Sequence, residues 1–598
     1  MAGITSIFSF NQHSLLKNNL KRILNSSYPL PNIQTVEANI ENDSVGFGGV
    51  FPKHFQRKNS IYKSKIGTLI FYGELYNDAG ISNEAEYALK FIQEHGIEKI
   101  YQLDGPFALF FWNEEQKCLI AATDRLGRFP IYYSRTSEGI YITTDLHSLF
   151  TSKMIIPKLR EKSIVDFLTI GFVTGDESIF EGIKRITAGE YLSCSFDNVE
   201  KRKYWKPQYS NLIHDTEEMV HAFEKCTCRA IDFRPNSVVA LSGGWDSRAT
   251  VAALKKSNAN FTIMTFGEFE STDVNIARSI AQKLNLNHEI ISPEQDFFDG
   301  FNTLAQKTIS LGSGHTTVDI AFQLYAFERL AKKYSMVLDS AGCEFRRGLR
   351  AKLASQNAKK TSDITDYLTT MYSTGVWNDE IINKDFFEDN KQQTHHHLTT
   401  MLDDSSATSF EEQIDLFTWD ELWCHHYAHG YPLQTNIIGC HMPYSDNMFY
   451  DLFLQSDTSI RWTYQFHENV INKNYSLLKT FPISHGNIKI PYGNSRLKYV
   501  PIVYHRIISK MSSLPALHWV KTLDNYRPFR SYNKWYTQQL EQHVIQMLRS
   551  SFGESQSFIS INKALELIEI QKQSLTDRSH SISILMTLAH LMKYIKNF

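Results

Sequence analysis

The sequence predicts three successive regions: a β-rich, layered α+β domain over residues 1–205, an α/β domain built on a parallel sheet over 206–500, and a helical extension over 501–598. Three observations carry this. Up to about 205, short β-like runs (GTLIFYGEL, GPFALFFW, CLIAAT, FPIYYS, GIYIT) alternate with turn signals rich in Gly, Asn and Asp. From about 206 the rhythm changes to strand followed by helix: SVVAL (237–241) precedes RATVAALKKS, FTIMTF (261–266) precedes DVNIARSIAQKL, and MVLDS (336–340) gives a third β signal. From about 360 onward helical periodicity prevails, with no low-complexity linker and no repeat of fixed period.

Length and composition fit this division. At 598 residues the chain is too long for one core and long enough for two or three. A formal net charge of -2, with 21% charged residues, offers no footprint for nucleic acid and no disordered tail. Seven scattered cysteines do not form a disulfide framework, which points to a reducing, cytoplasmic setting. The N-terminal MAGITSIFSF lacks a basic flank before an apolar run, and the apolar blocks are far shorter than a membrane span, so neither export nor membrane attachment is expected.

The chemistry concentrates in LSGGWDSRAT (241–250). After the buried strand, Ser242, Gly243 and Gly244 bring backbone close to a ligand, since residues without Cβ permit tight approach and positive φ. A helix beginning at about Asp246–Ser247 aims its N–H groups at the same spot, which suits phosphate. An aspartate there would repel phosphate unless a divalent cation bridges the two, so Asp246 implies Mg²⁺; the alternative is that Asp246 and Ser247 only cap the helix. The loop lacks the Gly-Lys-Ser/Thr ending of a Walker-type loop, which argues against simple γ-phosphate transfer. A second loop, LDSAGCEFRRG (338–348), offers Gly342 for close approach and Glu344 as a second carboxylate at the edge where open α/β sheets place ligands; an ordinary solvated strand exit is its alternative.

Together these motifs resemble the asparagine synthetase-like superfamily, which includes glutamine-dependent asparagine synthetases, β-lactam synthetases and lasso peptide cyclases. SGGxDS resembles its pyrophosphate loop, with Asp246 on the Mg²⁺-binding aspartate. LDSAGCEFRRG resembles SGEGSDExFGG, with Glu344 where the second metal aspartate lies, one methylene longer. YGELYN (72–77) resembles NGEIYN, LDGPFALFFWNEEQKCLIAATDRLGRFPIYYS resembles LxGxFAFxxWD…RDxxGxxPLYY, and MPYSDNMFYDLFL (442–454) resembles the VPFLD segment. Order and spacing agree from about residue 1 to 495. The resemblance implies an αββα-type amidohydrolase-like domain followed by an adenine-nucleotide α-hydrolase-like (PP-loop) domain. It also implies that Leu241 and Ser242 to Gly244 with Ser247 hold pyrophosphate, that Thr265, Phe266 and Gly267 lie near the adenosine, and that Lys489 in NIKIPYG steadies charge during acyl transfer.

Glutamine-dependent members use a cysteine at position 2 as nucleophile; here it is Ala2, and the nearest cysteine in sequence, Cys118, sits in a β-like run. The oxyanion-hole asparagine of NGEIYN is Tyr72, and the segment carrying the glutamine-binding arginine is not recognisable. The N-terminal domain is therefore expected to lack glutaminase activity. CHHYAHG puts His425 and His429 at i and i+4 beside Cys424, imitating a zinc site, but without the Glu of HExxH these read as packing or surface residues, as do His395 to His397, Cys226 and Cys228.

The sequence thus implies an ATP- and Mg²⁺-dependent, AMP-forming amide ligase acting on a small-molecule or peptide substrate. A lasso-type macrolactam cyclase working with a precursor peptide and its leader peptidase leads; ammonia-using asparagine synthesis, a β-lactam synthetase-like enzyme and a non-catalytic ATP-binding scaffold stay open.

Overall fold

A computed structural model describes residues 1–598 apart from 11–15, 32, 36–38, 41–43, 56–59, 78–80, 211, 214, 235, 343–347, 376–380, 485–503, 505–506, 509, 512–525, 554–557 and 574–576. Its N-terminal part is two stacked antiparallel sheets. The first runs Lys184–Ile186, Ile131–Arg135, Gly139–Thr143, Gly3–Ser9, Val45–Pro52, Ile33–Thr35, with Asn39–Ile40 also paired to Val45–Pro52. The second runs Val199–Lys203, Glu190–Cys194, Cys118–Thr123, Phe107–Asn113, Gly67–Gly73, Ile61–Ser64.

Strand period explains the layers. In Phe107–Asn113, the side chains of Ala108, Phe110 and Trp112 meet the other sheet, while Phe107, Leu109 and Phe111 meet the helix Glu84–His95. Both faces are covered, which is why GPFALFFW reads as a continuous apolar run rather than an alternating one. The helix Leu16–Asn25 covers the outer face of the first sheet through Leu20, Ile23 and Leu24.

Five parallel strands form the second body, in the order His288–Ile291, Thr262–Phe266, Ser237–Ala240, Met336–Leu338, Gly439–His441. Val238, Met264 and Val337 bury one face against helices Phe301–Leu311 and Ala321–Leu330, whereas Val239, Ile263 and Leu338 bury the other against Glu217–Phe233, Trp245–Lys256 and Thr272–Leu284. The strand first in sequence lies in the middle, so the winding direction reverses between Ser237–Ala240 and Met336–Leu338. That reversal opens a crevice at the carboxyl ends of the two strands.

Past residue 526 the chain forms helices Tyr532–Trp535, Glu541–Ser551, Ile561–Lys572 and Ser579–Ile595, the last packing on Phe301–Leu311. Among the described residues no helix is long and apolar enough to cross a membrane. The two bodies are joined by specific bonds: Trp423 Nε1 donates to the Leu126 carbonyl at 2.9 Å, Arg128 NH1 to Ser445 Oγ at 3.1 Å, and the Ala2 amide to Asn436 Oδ1.

Candidate functional site

The loop after Ser237–Ala240 lies in the crevice. The helix begins at Trp245 with Gly244 at its cap, and no side chain caps it. Inside the loop Ser247 Oγ accepts from the Ser242 amide at 3.0 Å and lies 3.1 Å from Ser242 Oγ, which in turn accepts from the Gly244 amide at 3.1 Å. The two glycines differ in their reason for being there, and neither uses the positive φ that the sequence suggested. A Cβ on Gly243 would meet the Ser484 Cβ at 2.6 Å, so Gly243 is required by packing; among the described residues a Cβ on Gly244 would meet only Ser242 Oγ, at 3.2 Å. The Gly243 amide is already used, donating to Asp273 Oδ1 at 2.8 Å.

Asp246 stands in the first helical turn, its Oδ1 2.8 Å from Nε2 of the buried His467, and its carbonyl accepts from Tyr444 hydroxyl at 3.0 Å. Arg248, fully buried, ties the loop down from beneath by donating to the carbonyls of Gly243 at 3.1 Å and Pro482 at 2.7 Å. His467, Asp273 and Arg248 escaped the sequence reading. Arg248 follows Ser247 directly, and Asp273 opens the helix after the second strand; no local signal marks His467.

The other predicted residues are brought to the same edge with mixed roles. Leu241 is buried in the core, and its carbonyl accepts from Thr265 Oγ1 at 2.6 Å; Thr265 also contacts His288 Nε2 at 2.9 Å. The Thr265 hydroxyl therefore holds two strands' exits together rather than facing outward. Phe266 lines a cavity, and Gly267, at φ +155°, lies with its Cβ position 3.1 Å from Phe529 Cβ. Gly342, at φ +105°, turns the second loop against Tyr444. Ser340 Oγ lies 3.0 Å from Thr250 Oγ1, fastening that loop to the helix of the first. Glu344 and Lys489 lie outside the described residues. Among those described, no cluster of three or more His, Cys, Asp or Glu side chains could hold a metal ion.

The cavity beside these loops measures roughly 640 Å³ and reaches the strand ends at Ala240, Phe266, Asp339 and Ala341. Asp339 is a further residue that the sequence did not single out. Burial pushes its carboxyl above the usual range, against backbone N–H groups of Ala341 and Ser340 that favour the ionised form.

The N-terminal pocket is filled instead. Ala2 and the almost fully buried Tyr72 belong to the core between the sheets, where Tyr72 packs on Phe51 (ring centroids 5.6 Å), Phe55 (5.4 Å) and Phe129 (4.7 Å), and Phe129 on Tyr431 of the second body (5.2 Å). A separate small cavity of about 20 Å³ beside Phe51 and Phe55 reaches Phe71, Glu84 and Ala85 and is not lined by Ala2 or Tyr72. Cys118 points to the opposite face of its sheet from Ala2.

His425 and His429 of CHHYAHG are packing groups. They sit on and just after a π-helical turn, Thr418–Tyr427; His429 lies 2.9 Å from Arg185 NH1 and stacks on His315 at 4.6 Å, and burial depresses His425, His429 and His315 well below the ordinary histidine range. Cys424 is buried and its thiol held above the usual range, as is that of Cys226, with Cys228 raised by half-burial on the same helix. His397 faces Glu421, which favours its charged form.

Residues 62–205 match the family model of a glutamine amidotransferase domain and residues 220–460 that of asparagine synthase. The glutamine-hydrolyzing asparagine synthetase 1 of Bacillus subtilis (strain 168) is 22% identical over 257 residues, covering 39% of this chain and 40% of that protein. Its asparagine synthetase 3 is 26% identical over 209 residues (32% and 34%), and the amidase chyE of Penicillium rubens 27% over 223 residues (34% and 32%). Each match thus spans less than half of the relative's length. With an amidotransferase domain preceding a synthase domain, and the SGGxDS loop set where the parallel sheet reverses, the chain is a member of the asparagine synthetase-like superfamily.

Proposed function

We propose that this chain is an ATP-dependent, AMP-forming carbon–nitrogen ligase that activates a substrate carboxylate and closes an amide, with lasso-type macrolactam formation as its use. In this reading 1–205 is an amidotransferase-like domain without glutaminase activity, 206–500 the PP-loop ligase domain and 501–598 a helical extension, working in the cytoplasm with a precursor peptide and its leader peptidase. The observation that carries the reading is the pairing of an uncapped helix N-terminus at the sheet's reversal point with a 640 Å³ cavity at the same strand ends.

The residues present fit Mg²⁺ shared with phosphate. Asp246 supplies an oxygen ligand, Gly244 admits an anion over the loop, and Mg²⁺ commonly takes one or two carboxylates plus substrate phosphates. Glu344 is the second carboxylate by resemblance. When bound, the ion neutralises charge on the departing pyrophosphate. The chain's own part is to hold Ser242, Gly244 and Ser247 around that group, with His467 orienting Asp246 and Arg248 fixing the loop from below. Lys489 is assigned the charge-steadying role, and the loop beyond Thr265 the adenosine.

Nitrogen does not come from glutamine in this reading. Ala2 has no nucleophile, Tyr72 replaces the oxyanion donor, and aromatic rings from Phe55 to Tyr431 occupy the space between the sheets. The runner-up, asparagine formation from aspartate and ammonia, is disfavoured by a cavity walled by Phe172, Trp423 and Tyr427, which suits a larger and more apolar substrate. With a competent substrate, AMP and pyrophosphate are expected in equal amounts, with one water's mass lost from a cyclised product, and no glutamate release from glutamine. ADP as product would overturn the adenylation route; product from aspartate plus ammonia alone would favour the runner-up.

A further inference from the structure

The cavity owes one wall to residues outside both matched regions. Arg530, His580 and Ile584 line it together with the core's His426 and Asp319. Arg530 is held in place rather than draped. The preceding residues are stitched to the exit of the second strand: the Glu268 amide donates to the Phe529 carbonyl at 3.0 Å, the Thr272 amide to the Arg527 carbonyl at 3.0 Å, and the Arg527 amide to Thr272 Oγ1 at 2.9 Å. Tyr532 hydroxyl then donates to the Asp319 carbonyl at 2.7 Å.

Among the described residues Arg530 makes long polar contacts, with its guanidinium also 4.7 Å from the Phe529 ring centroid. Its NH1 lies 3.4 Å from the Asp319 carbonyl and 3.6 Å from the Asp319 carboxylate, both long contacts through one nitrogen of a group with five N–H donors. His426 is buried, which pushes its pKa below the ordinary histidine range and keeps the ring neutral, and it lies near Asp319 and His580. Among the described lining residues Arg530 is the one permanently positive side chain, and the N–H groups it does not spend on Asp319 are donors that a carboxylate can take, while burial favours the neutral form of Asp339. Around this polar patch the surface is aromatic, and Met371 and Tyr427 stay 46% and 39% exposed at the cavity's rim. Exposed large apolar groups at a cavity mouth mark a binding surface.

We propose that Arg530 and His580 of the C-terminal extension form an anion-selecting wall of this cavity, so that the ligand is a bulky, aromatic or apolar acyl compound of peptide size carrying a carboxylate besides the one to be activated. The extension, rather than the ligase core, then selects the substrate. This rests on the cavity being the substrate site of the proposed ligase.

The test uses the full chain and defined probes: N-acetyl-tryptophan, N-acetyl-tryptophanamide and aspartate, each titrated by calorimetry, with Mg·ATP titrated separately. N-acetyl-tryptophan is expected to bind at least about tenfold more tightly than its amide, the scale of one charge-assisted hydrogen bond. Arg530→Gln should erase that difference, Arg530→Lys should restore part of it, and His580→Gln should weaken the acid alone, all with unchanged unfolding temperature. Equal binding of acid and amide, undiminished acid selectivity in Arg530→Gln, no binding of either at millimolar concentration, or aspartate binding as well as the aromatic acid would each overturn the wall. Loss of Mg·ATP binding in the wild type would instead strike the ligase reading, because acid-selective binding that depends on Arg530 can be observed without nucleotide.

Discussion

The pocket between the N-terminal sheets and the cavity at the parallel strand ends can be compared directly, since each sits where its fold places a ligand. The first is packed with Ala2, Phe51, Tyr72 and Phe129; the second keeps roughly 640 Å³ with carboxylates, a guanidinium and imidazoles on its wall. In the first, large apolar side chains were put where polar groups would be needed, and burial satisfies them. In the second, polar groups stay part-exposed and hydrated, available to a ligand. A filled pocket thus adds to the core, whereas an open cavity keeps its polar groups within reach of a ligand.

That contrast can be broken most severely at Asp246. Asp246→Asn preserves shape and helix start but is expected to lower AMP formation by about three orders of magnitude, the scale of a metal clamp on a transition state. Pyrophosphate release measured beside thermal unfolding checks it; wild-type activity would remove Asp246 from the metal site and leave it the partner of His467 only. Next is the filled pocket. Tyr72→Ala should cost about 3–5 kcal/mol of stability by urea unfolding, as expected for emptying a buried aromatic site. Tyr72→Phe should be neutral or stabilising, because among the described residues the Tyr72 hydroxyl is buried without a hydrogen-bond partner. A large loss in the Phe variant would mean the hydroxyl is hydrogen-bonded after all.

A finer comparison lies within the phosphate loop. Gly243→Ala, whose Cβ would sit 2.6 Å from Ser484 Cβ, should cost about 1–3 kcal/mol through overpacking. Gly244→Ala should leave the melting temperature almost unchanged while weakening Mg·ATP binding, since its Cβ would point into the space assigned to the anion. Equal melting shifts would erase the distinction between a packing glycine and a ligand glycine. The smallest effect concerns pH. Burial depresses His315, His425 and His429 well below their unfolded value of about 6.5, so the unfolded chain binds more protons in acid. Stability is full above that value and declines as pH falls from it toward the depressed folded values. His425→Gln should give a shallower decline between pH 7 and 5; an unchanged slope would remove His425 from the cause.

Much of the architecture was legible because strand and helix periods are local properties: GPFALFFW, SVVAL and FTIMTF each became strands, and the SGGxDS loop lies at the sheet's reversal point. Side-chain use was less legible. Thr265 looked like a nucleotide contact but spends its hydroxyl on the Leu241 carbonyl, a bond that exists only once two strands lie side by side. Gly243 looked like a ligand glycine, yet its neighbour Ser484 arrives from far along the chain. The His467 partnership with Asp246 and the burial of Asp339 are likewise products of packing, with no periodic or spacing signal to announce them.

Tyr431 turns one edge toward Phe129 in the core between the N-terminal sheets and also lines the strand-end cavity, with its hydroxyl fixed at 3.2 Å from the Cys440 carbonyl. One ring therefore answers to two compartments. Cutting away the N-terminal domain would strip that ring of its backing and leave the cavity without a rear wall. The N-terminal domain is in this sense a buttress, because a wall of the cavity leans on it.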